Sequence, residues 1–209
     1  DIDEKLKDKI NIFIKKNYLR NKTEVYNPNK DDIFNYLIKH PYSSNCSVLM
    51  DKYKDKILAA MSDRPNQCFI DKKKMLLSYI DWLCVDKNKR KSGLASKIIY
   101  THYFNMRHKN IGNEYGVSLF KNEGFMSPFM PLTTYNTCFY DLKYWMKDIK
   151  ITQKYIKLIK VSSENFNDLI ELFSKMKEIF KVIVMSDIMH IKHLIQMENL
   201  YIFMLLIED

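Results

Sequence analysis

The sequence predicts an α/β domain, an α+β arrangement in which a mixed, mostly antiparallel central sheet is flanked by helices. Three observations carry that expectation. Two helix-patterned segments open the chain, and a hairpin-patterned pair of strands follows them. An apolar run of strand length, Lys74 to Val85, then leads through a basic loop into an amphipathic segment, Ile98 to Arg107.

Taken in order, Lys5 to Tyr18 places Leu6, Ile10, Phe13 and Ile14 on one helical stripe. Asn27-Pro28-Asn29 starts a turn. Asp31-Asp32 precedes a second helix over Ile33 to Lys39, which Pro41 stops. Ser47 to Asp51 reads as a short strand, Lys52 to Asp55 as its turn, and Lys56 to Arg64 as the returning strand. Phe69-Ile70 and the turn Asp71-Lys72-Lys73 lead into the central strand. Beyond the central helix, Tyr115 to Phe120 is strand-like, and Lys121 to Thr134 is loop-like, with Gly124, Pro128 and Pro131. Cys138 to Leu142 reads as a strand, and Tyr144 to Asp148 as a short helix or turn.

The later part of the chain opens with a strand pattern at Tyr155 to Val161. Ser163-Glu164-Asn165 caps a helix from Phe166 to Phe180, and Ser186-Asp187 caps another from Ile188 to Gln196. Leu200 to Ile207 is apolar at every position and wants cover on both faces. It is expected to dock into the main sheet, beside Tyr155–Val161 or in the split beyond the central strand. Asp cap, helix, turn and strand recur in that order near both ends of the chain. The expected division is residues 1–150 as one domain, with 151–209 as a partial second copy packed on it.

A net charge of +9 favours anionic ligands. The basic residues are spread along the chain without an arginine-rich tail, so nucleic acid is not an expected partner. Cys46, Cys68, Cys84 and Cys138 are isolated, with no spacing for a metal site or a disulfide framework. They read as reduced thiols in a cytoplasmic protein. No signal peptide and no apolar run of about 18 residues is visible, so no membrane span is expected. Abundant Lys, Ile, Asn and Tyr read as an AT-rich coding genome, protozoan or viral.

The basic loop carries the chemistry. Arg90-Lys91-Ser92-Gly93-Leu94-Ala95 follows a strand and opens a helix. Gly93 lets the backbone come close to a bound group, and the helix start aims free N–H groups at it. An exposed Lys/Arg loop is otherwise a solvated turn. Its place between strand and helix favours a pyrophosphate cradle.

This R-x-x-G-x-A loop resembles the acyl-CoA signature of the GNAT superfamily of N-acyltransferases. The longer string Ile80-Asp81-Trp82-Leu83-Cys84-Val85-Asp86-Lys87-Asn88-Lys89-Arg90 resembles the N-myristoyltransferase family more specifically. So do Tyr18 to Pro28, Pro131 to Tyr135 with Asp141-Leu142, and Phe180 with Val184-Met185-Ser186. The resemblance implies the N-terminal half of such an enzyme with a truncated second half, in a GNAT fold. It implies acyl-CoA as co-substrate, myristoyl-CoA or acetyl-CoA, without a metal. The acceptor would be a peptide or protein N-terminus, or a small amine. An acetyl-CoA-dependent N-acetyltransferase and a degenerate GNAT-fold binding module are the alternative readings.

By that resemblance, the N–H groups of Trp82 and Leu83 form the oxyanion site. The stretch Leu83-Cys84-Val85 and the backbone from Arg90 to Ala95 hold the co-substrate, with Arg90 and Lys91 adding charge. Asp81, inside an apolar strand, is the candidate base; otherwise it is an outward-facing residue paired to a Lys. Tyr140 is either the acid that protonates the leaving thiolate or a packing residue. His102 and His108 read as surface or core-edge residues. Cys84 reads as a buried strand thiol, not a nucleophile.

Overall fold

A computed structural model of the protein describes residues 2–18, 26–108, 117–121, 133–134, 136, 138, 141 and 156–207. Most of the expected strand at Cys138–Leu142, the turn or helix at Tyr144–Asp148 and most of the Lys121–Thr134 loop lie outside the described residues.

The first helix, α1, runs Glu4–Asn17, and Asp3 caps it by accepting a hydrogen bond from the Leu6 N–H. The short helix α2 runs Lys30–Phe34 and passes into a 3-10 turn, Asn35–Leu37. Asp31 and Asp32 lie within α2, not before it as expected. Asp32 sits at its third position and accepts from the Asn29 N–H at 2.8 Å, one arm of a capping box.

Strands β1 (Asn45–Met50), β2 (Ile57–Ile70), β3 (Lys73–Val85) and β4 (Val117–Phe120) form the main sheet in that order. The first three are antiparallel, and β4 joins β3 in parallel. Helix α3 (Leu94–His108) crosses one face. Its Ile98 packs with Ala59 and Met61 of β2, bordered by Leu49, Ile80, Leu83 and Val85. The other face is covered by α1 and α2, where Ile10, Phe13, Ile14, Ile33 and Phe34 meet Ile57, Ala60 and Cys84. Each buried Ile, Phe or Met among them contributes about 1.5–3 kcal/mol by leaving water.

The structure corrects the length of β2. The expected strand ends at Arg64, but β2 continues through Pro65 to Ile70. On one edge it pairs with β1 up to Asp63, and from Gln67 onward with a strand the sequence reading did not assign, β6 (Val182–Met185). Pro65 falls in the gap between these two neighbours, where a residue without an N–H is tolerated.

The remaining elements are β5 (Ile156–Lys160), α4 (Phe166–Ile179), α5 (Ile188–Gln196) and β7 (Phe203–Ile207). Asn165 precedes α4 without capping it, since its amide oxygen turns back to the Ser162 N–H. Asp187 does cap α5 through the Met189 N–H. The last strand pairs with β5 as expected, but the two form a separate two-stranded sheet outside the main one. Their core is Val161, Phe166, Leu169, Ile191 and Met204, and α4 and α5 supply cover on one face only. Leu158, Phe203, Leu205 and Ile207 remain exposed on the other.

Helix α5 is held to the first part of the chain by a histidine stack. His40 and His190 lie with ring centroids 3.6 Å apart, and His190 Nδ1 meets the Ile38 carbonyl at 3.0 Å. Burial, then the neighbouring His40, pushes His190 down to about 3, and burial also lowers His40 and His193. These rings are neutral in the fold, while an unfolded chain protonates them near 6.5. Their contribution is therefore complete above about pH 6.5 and is lost as pH falls toward 3. Wild type should lose unfolding free energy more steeply over this range than His190→Phe does, in urea titrations at stepped pH. Parallel slopes for the two proteins would show that the stack is not the acid-sensitive contact.

Candidate functional site

The site begins where β3 leaves its partners. Register pairs Ala60 with Cys84 and Ser62 with Asp81, so Trp82 and Leu83 together face the single residue Met61. This is a β-bulge, and within it Trp82 takes a left-handed conformation, φ 48°. A non-glycine residue held there costs about 1–3 kcal/mol, met by the packing around it. The parallel pairing with β4 ends at Ile80 opposite Phe120. Beyond that point, Asp81 to Val85 have no β4 neighbour among the described residues. The two residues expected to carry the oxyanion donors are thus the two that the bulge takes out of the ladder.

The loop that follows is held from below. The buried Asp86 carboxylate accepts from the Asn88 N–H at 2.9 Å and pairs with Lys56, which holds it below the usual carboxylate range. A 3-10 turn, Lys87–Lys89, comes next. Lys91 and Gly93 adopt positive φ, 62° and 78°. The first helical hydrogen bond of α3 runs from the Lys97 N–H to the Gly93 carbonyl, so the N–H groups of Leu94, Ala95 and Ser96 precede the ladder. A Cβ on Gly93 would meet nothing within 4 Å. Gly93 is therefore needed for its conformation, and the surface above it is open.

The Arg90 head group is not part of that opening. Its Nη2 donates to the Asn17 carbonyl at 2.7 Å, at the C-terminus of α1. Lys87, Lys89, Lys91 and Lys97 are exposed around the loop. Asn17, which the sequence did not single out, is buried beneath it. Its Nδ2 donates to the Phe13 carbonyl at 2.9 Å and its Oδ1 accepts from the Lys87 N–H at 3.0 Å. Only its place at the end of the apolar stripe of α1 hinted at this.

Asp81 pairs with an arginine, not with the lysine of the alternative reading. Arg64 Nε donates to Asp81 Oδ2 at 2.6 Å, and Arg64 Nη1 donates to Ser186 Oγ at 3.1 Å. The guanidinium lies over the rings of Tyr36 and Tyr79, at 5.6 and 5.0 Å. Burial raises the Asp81 carboxyl, and Arg64 opposes the rise. Trp82 Nε1 donates to the Tyr26 hydroxyl at 3.3 Å and Tyr36 meets the indole edge-on. Tyr26 and Tyr36 also line an open cleft of about 390 Å³ with Asn27, Pro28, Asp32, Glu198 and Asn199. Asn199 crosses from the later part of the chain, accepting from Asn35 and donating to Asp32. Tyr26 had only its place in the family-like segment Tyr18 to Pro28 as a signal, and Arg64, Tyr36 and Asn199 had none.

Two other expectations resolve. Cys84 is buried in the core, and burial pushes its thiol up to about 12, as a strand thiol without nucleophilic character requires. His102 is not at the surface or core edge: it is 1% exposed, with Nδ1 2.8 Å from Ser47 Oγ. Its Nε2 faces Asp63 Oδ1 at 3.3 Å, off the angle of a hydrogen bond. His108 is exposed, as expected. Tyr140 lies outside the described residues.

A bulged strand end, a glycine loop and an open helix N-terminus on a mostly antiparallel sheet define a mixed α/β fold with one concentrated site. Residues 1–112 match the N-terminal domain of Myristoyl-CoA:protein N-myristoyltransferase, and the chain belongs to that family. Among solved structures it is similar to Saccharomyces cerevisiae N-myristoyltransferase with bound myristoyl-CoA, at TM-score 0.64 and 18% identity. That match covers 91% of this chain and 50% of the yeast chain. A second yeast structure, also with bound myristoyl-CoA, gives TM-score 0.62 at 17% identity, covering 92% of this chain and 48% of the other. The chain thus spans about half the length of the structures it matches. No curated protein matches it by sequence. Among the described residues, no helix is long and apolar enough to cross a membrane.

Asn17 offers a direct test of how the loop is held. Asn17→Leu leaves the Lys87 N–H without its partner and removes the side-chain bond to the Phe13 carbonyl, and should lower unfolding free energy by about 1–3 kcal/mol. Chemical denaturation measures it. A loss within a few tenths of a kcal/mol would mean that water replaces the side chain without penalty.

Proposed function

We propose that this chain is the acyl-CoA-handling part of an N-acyltransferase that moves an acyl group, myristoyl in preference, from CoA to an amine such as a protein N-terminal glycine. The observation that carries the reading is the bulge at Trp82–Leu83, set one short turn before the open N-terminus of α3. Family membership and the bound myristoyl-CoA of the yeast structures support it. In this reading residues 1–150 form the acyl-CoA-binding domain, 151–209 begin a second half, and the reaction is cytoplasmic.

The roles follow from position. Backbone N–H groups from Arg90 to Ala95 take the CoA pyrophosphate, and Lys91 with its neighbours adds positive charge. The Leu83-Cys84-Val85 edge of β3 lies against the thioester arm. The acceptor nitrogen attacks the thioester carbonyl carbon after losing a proton to Asp81, and the carbonyl oxygen takes up negative charge against the Trp82 and Leu83 N–H groups. Collapse of that tetrahedral centre forms the amide and breaks the C–S bond. The CoA thiolate then takes a proton, for which Tyr140 is the candidate donor. A Cys84 thiol pushed up to about 12 in the core supports direct transfer without a covalent enzyme intermediate. The cleft lined by Tyr26, Asp32, Tyr36 and Glu198 is the approach for a cationic amine.

Isothermal titration with myristoyl-CoA tests the cradle. Gly93→Asp puts a carboxylate at the anion site and should weaken binding at least about tenfold, or about 1.4 kcal/mol. Unchanged affinity would remove the loop from the site, and no binding by wild type would favour a degenerate binding module.

Acyl length is tested by transfer to a glycine-initiated peptide. Myristoyl-CoA should outperform acetyl-CoA in kcat/KM. The opposite order would identify an acetyltransferase.

A further inference from the structure

We propose that Arg64 is a positioning residue that holds Asp81 ionised and turned, with Oδ2 engaged and Oδ1 presented to the acceptor amine. The proposal rests on the reading of Asp81 as the base, and deepens it.

The geometry is specific. Arg64 Nε reaches Asp81 Oδ2 at 2.6 Å, and this side of the carboxylate is occupied. Asp81 Oδ1 has no hydrogen-bond partner among the described residues, and the Asp81 side chain is 19% exposed, so one oxygen is open to a ligand. Arg64 cannot swing away freely. Tyr36 and Tyr79 flank its guanidinium, and Nη1 is held by Ser186 Oγ, which in turn donates to Asn66 Oδ1 at 3.0 Å. Four elements thus fix one cation beside one carboxylate: β2, β3, the turn after α2, and the junction of β6 with α5.

The energetic need is plain. A carboxylate in this setting is pushed toward its protonated form by burial, and the buried Asp63 on the same sheet pushes the same way. A protonated Asp81 cannot accept the ammonium proton. Arg64 is the charge that opposes both effects. Because its planar fork spends Nε on Asp81 and Nη1 on Ser186, it fixes direction as well as charge. A lysine at the same place supplies the charge without the fork. The pair also links the base to the later part of the chain, since Ser186 lies just beyond β6.

The test combines a titration with a rate profile on the full chain. The Asp81 side-chain carbon is followed by NMR against pH in wild type, Arg64→Lys and Arg64→Met, and assigned with Asp81→Asn. The midpoint should rise in Arg64→Met, and less in Arg64→Lys. The acid limb of kcat/KM for myristoyl transfer to a glycine-initiated peptide should move to higher pH in the same order. At a pH on that limb, Arg64→Met should lose about tenfold or more, following the proton equilibrium. In wild type alone, the Arg64 Nε–H resonance should shift with the Asp81 midpoint, which needs no variant to fold. A midpoint unaltered by Arg64→Met, equal behaviour of the Met and Lys variants, or an Nε–H signal that ignores the Asp81 titration would overturn the proposal. Full transfer by Asp81→Asn would instead defeat the base reading, while the NMR arms still decide what Arg64 does to Asp81.

Discussion

The antiparallel ladder between β2 and β3 is the constraint on which the rest of the structure depends. It runs from Ala59 opposite Val85 to Ile70 opposite Lys73, with one interruption. Its length lets β2 hold β1 along the first half of its other edge and β6 along the second. Its interruption decides which way the candidate site residues point. Below the bulge, Ile80 packs toward α3, and strict alternation would send Trp82 the same way. The extra residue reverses the phase: Trp82 joins the face covered by α1 and α2, while Leu83 and Val85 pack beneath α3. Asp81 and Trp82 therefore meet Arg64, Tyr26 and Tyr36 on one face, while the strand end still feeds the loop to α3.

Much of this was legible in the sequence, and the failures have physical causes. The stripe of α1, the apolar run of β3 and the Asp187 cap of α5 are local signals, and each element forms close to where its residues predict. The extension of β2 is not local. Pro65 ends a strand by its own chemistry, and only the gap between β1 and β6 makes it acceptable. β6 has four residues and follows a helix directly, too short to show a period of two. The bulge at Trp82 is invisible to patterning, because tryptophan has no preference for positive φ. Family resemblance pointed to Trp82 and Leu83 without giving the backbone reason. Arg64 is only the last residue of the expected strand until the fold sets Asp81 diagonally beside it.

Charge around the loop divides into two kinds of work. Lys56 and Arg90 face inward, to the Asp86 carboxylate and the Asn17 carbonyl, and so shape the turn instead of presenting charge to a ligand. The exposed lysines add a field that salt screens over about 10 Å at 0.1 M. In the proposed reading, directional recognition falls to backbone N–H groups that the helix ladder leaves unpaired. This division explains why Gly93, with empty space around it, matters more than any single cation: a residue that cannot adopt φ 78° would close the turn differently and aim those donors elsewhere.

The helix that carries those donors also needs a fixed position on the sheet, and apolar contact alone supplies it poorly. Ile98 against Ala59 and Met61 is an apolar contact, and such contacts are non-directional. One turn further along, the contact becomes polar. His102 stands between Ser47 of β1 and Asp63 of β2, and Asp63 also accepts from Ser78 Oγ at 2.7 Å and from the Asn45 N–H at 3.0 Å. His102 is 1% exposed, so a rotated or shifted α3 would leave a buried imidazole without Ser47, while Asp63 keeps its bonds from Ser78 and Asn45. That penalty belongs to the wrong registers only. The network thus acts less by adding stability than by excluding alternatives, and the angle it sets for His102 is the angle at which the same rigid helix presents Leu94 and Ala95 beside the end of β3.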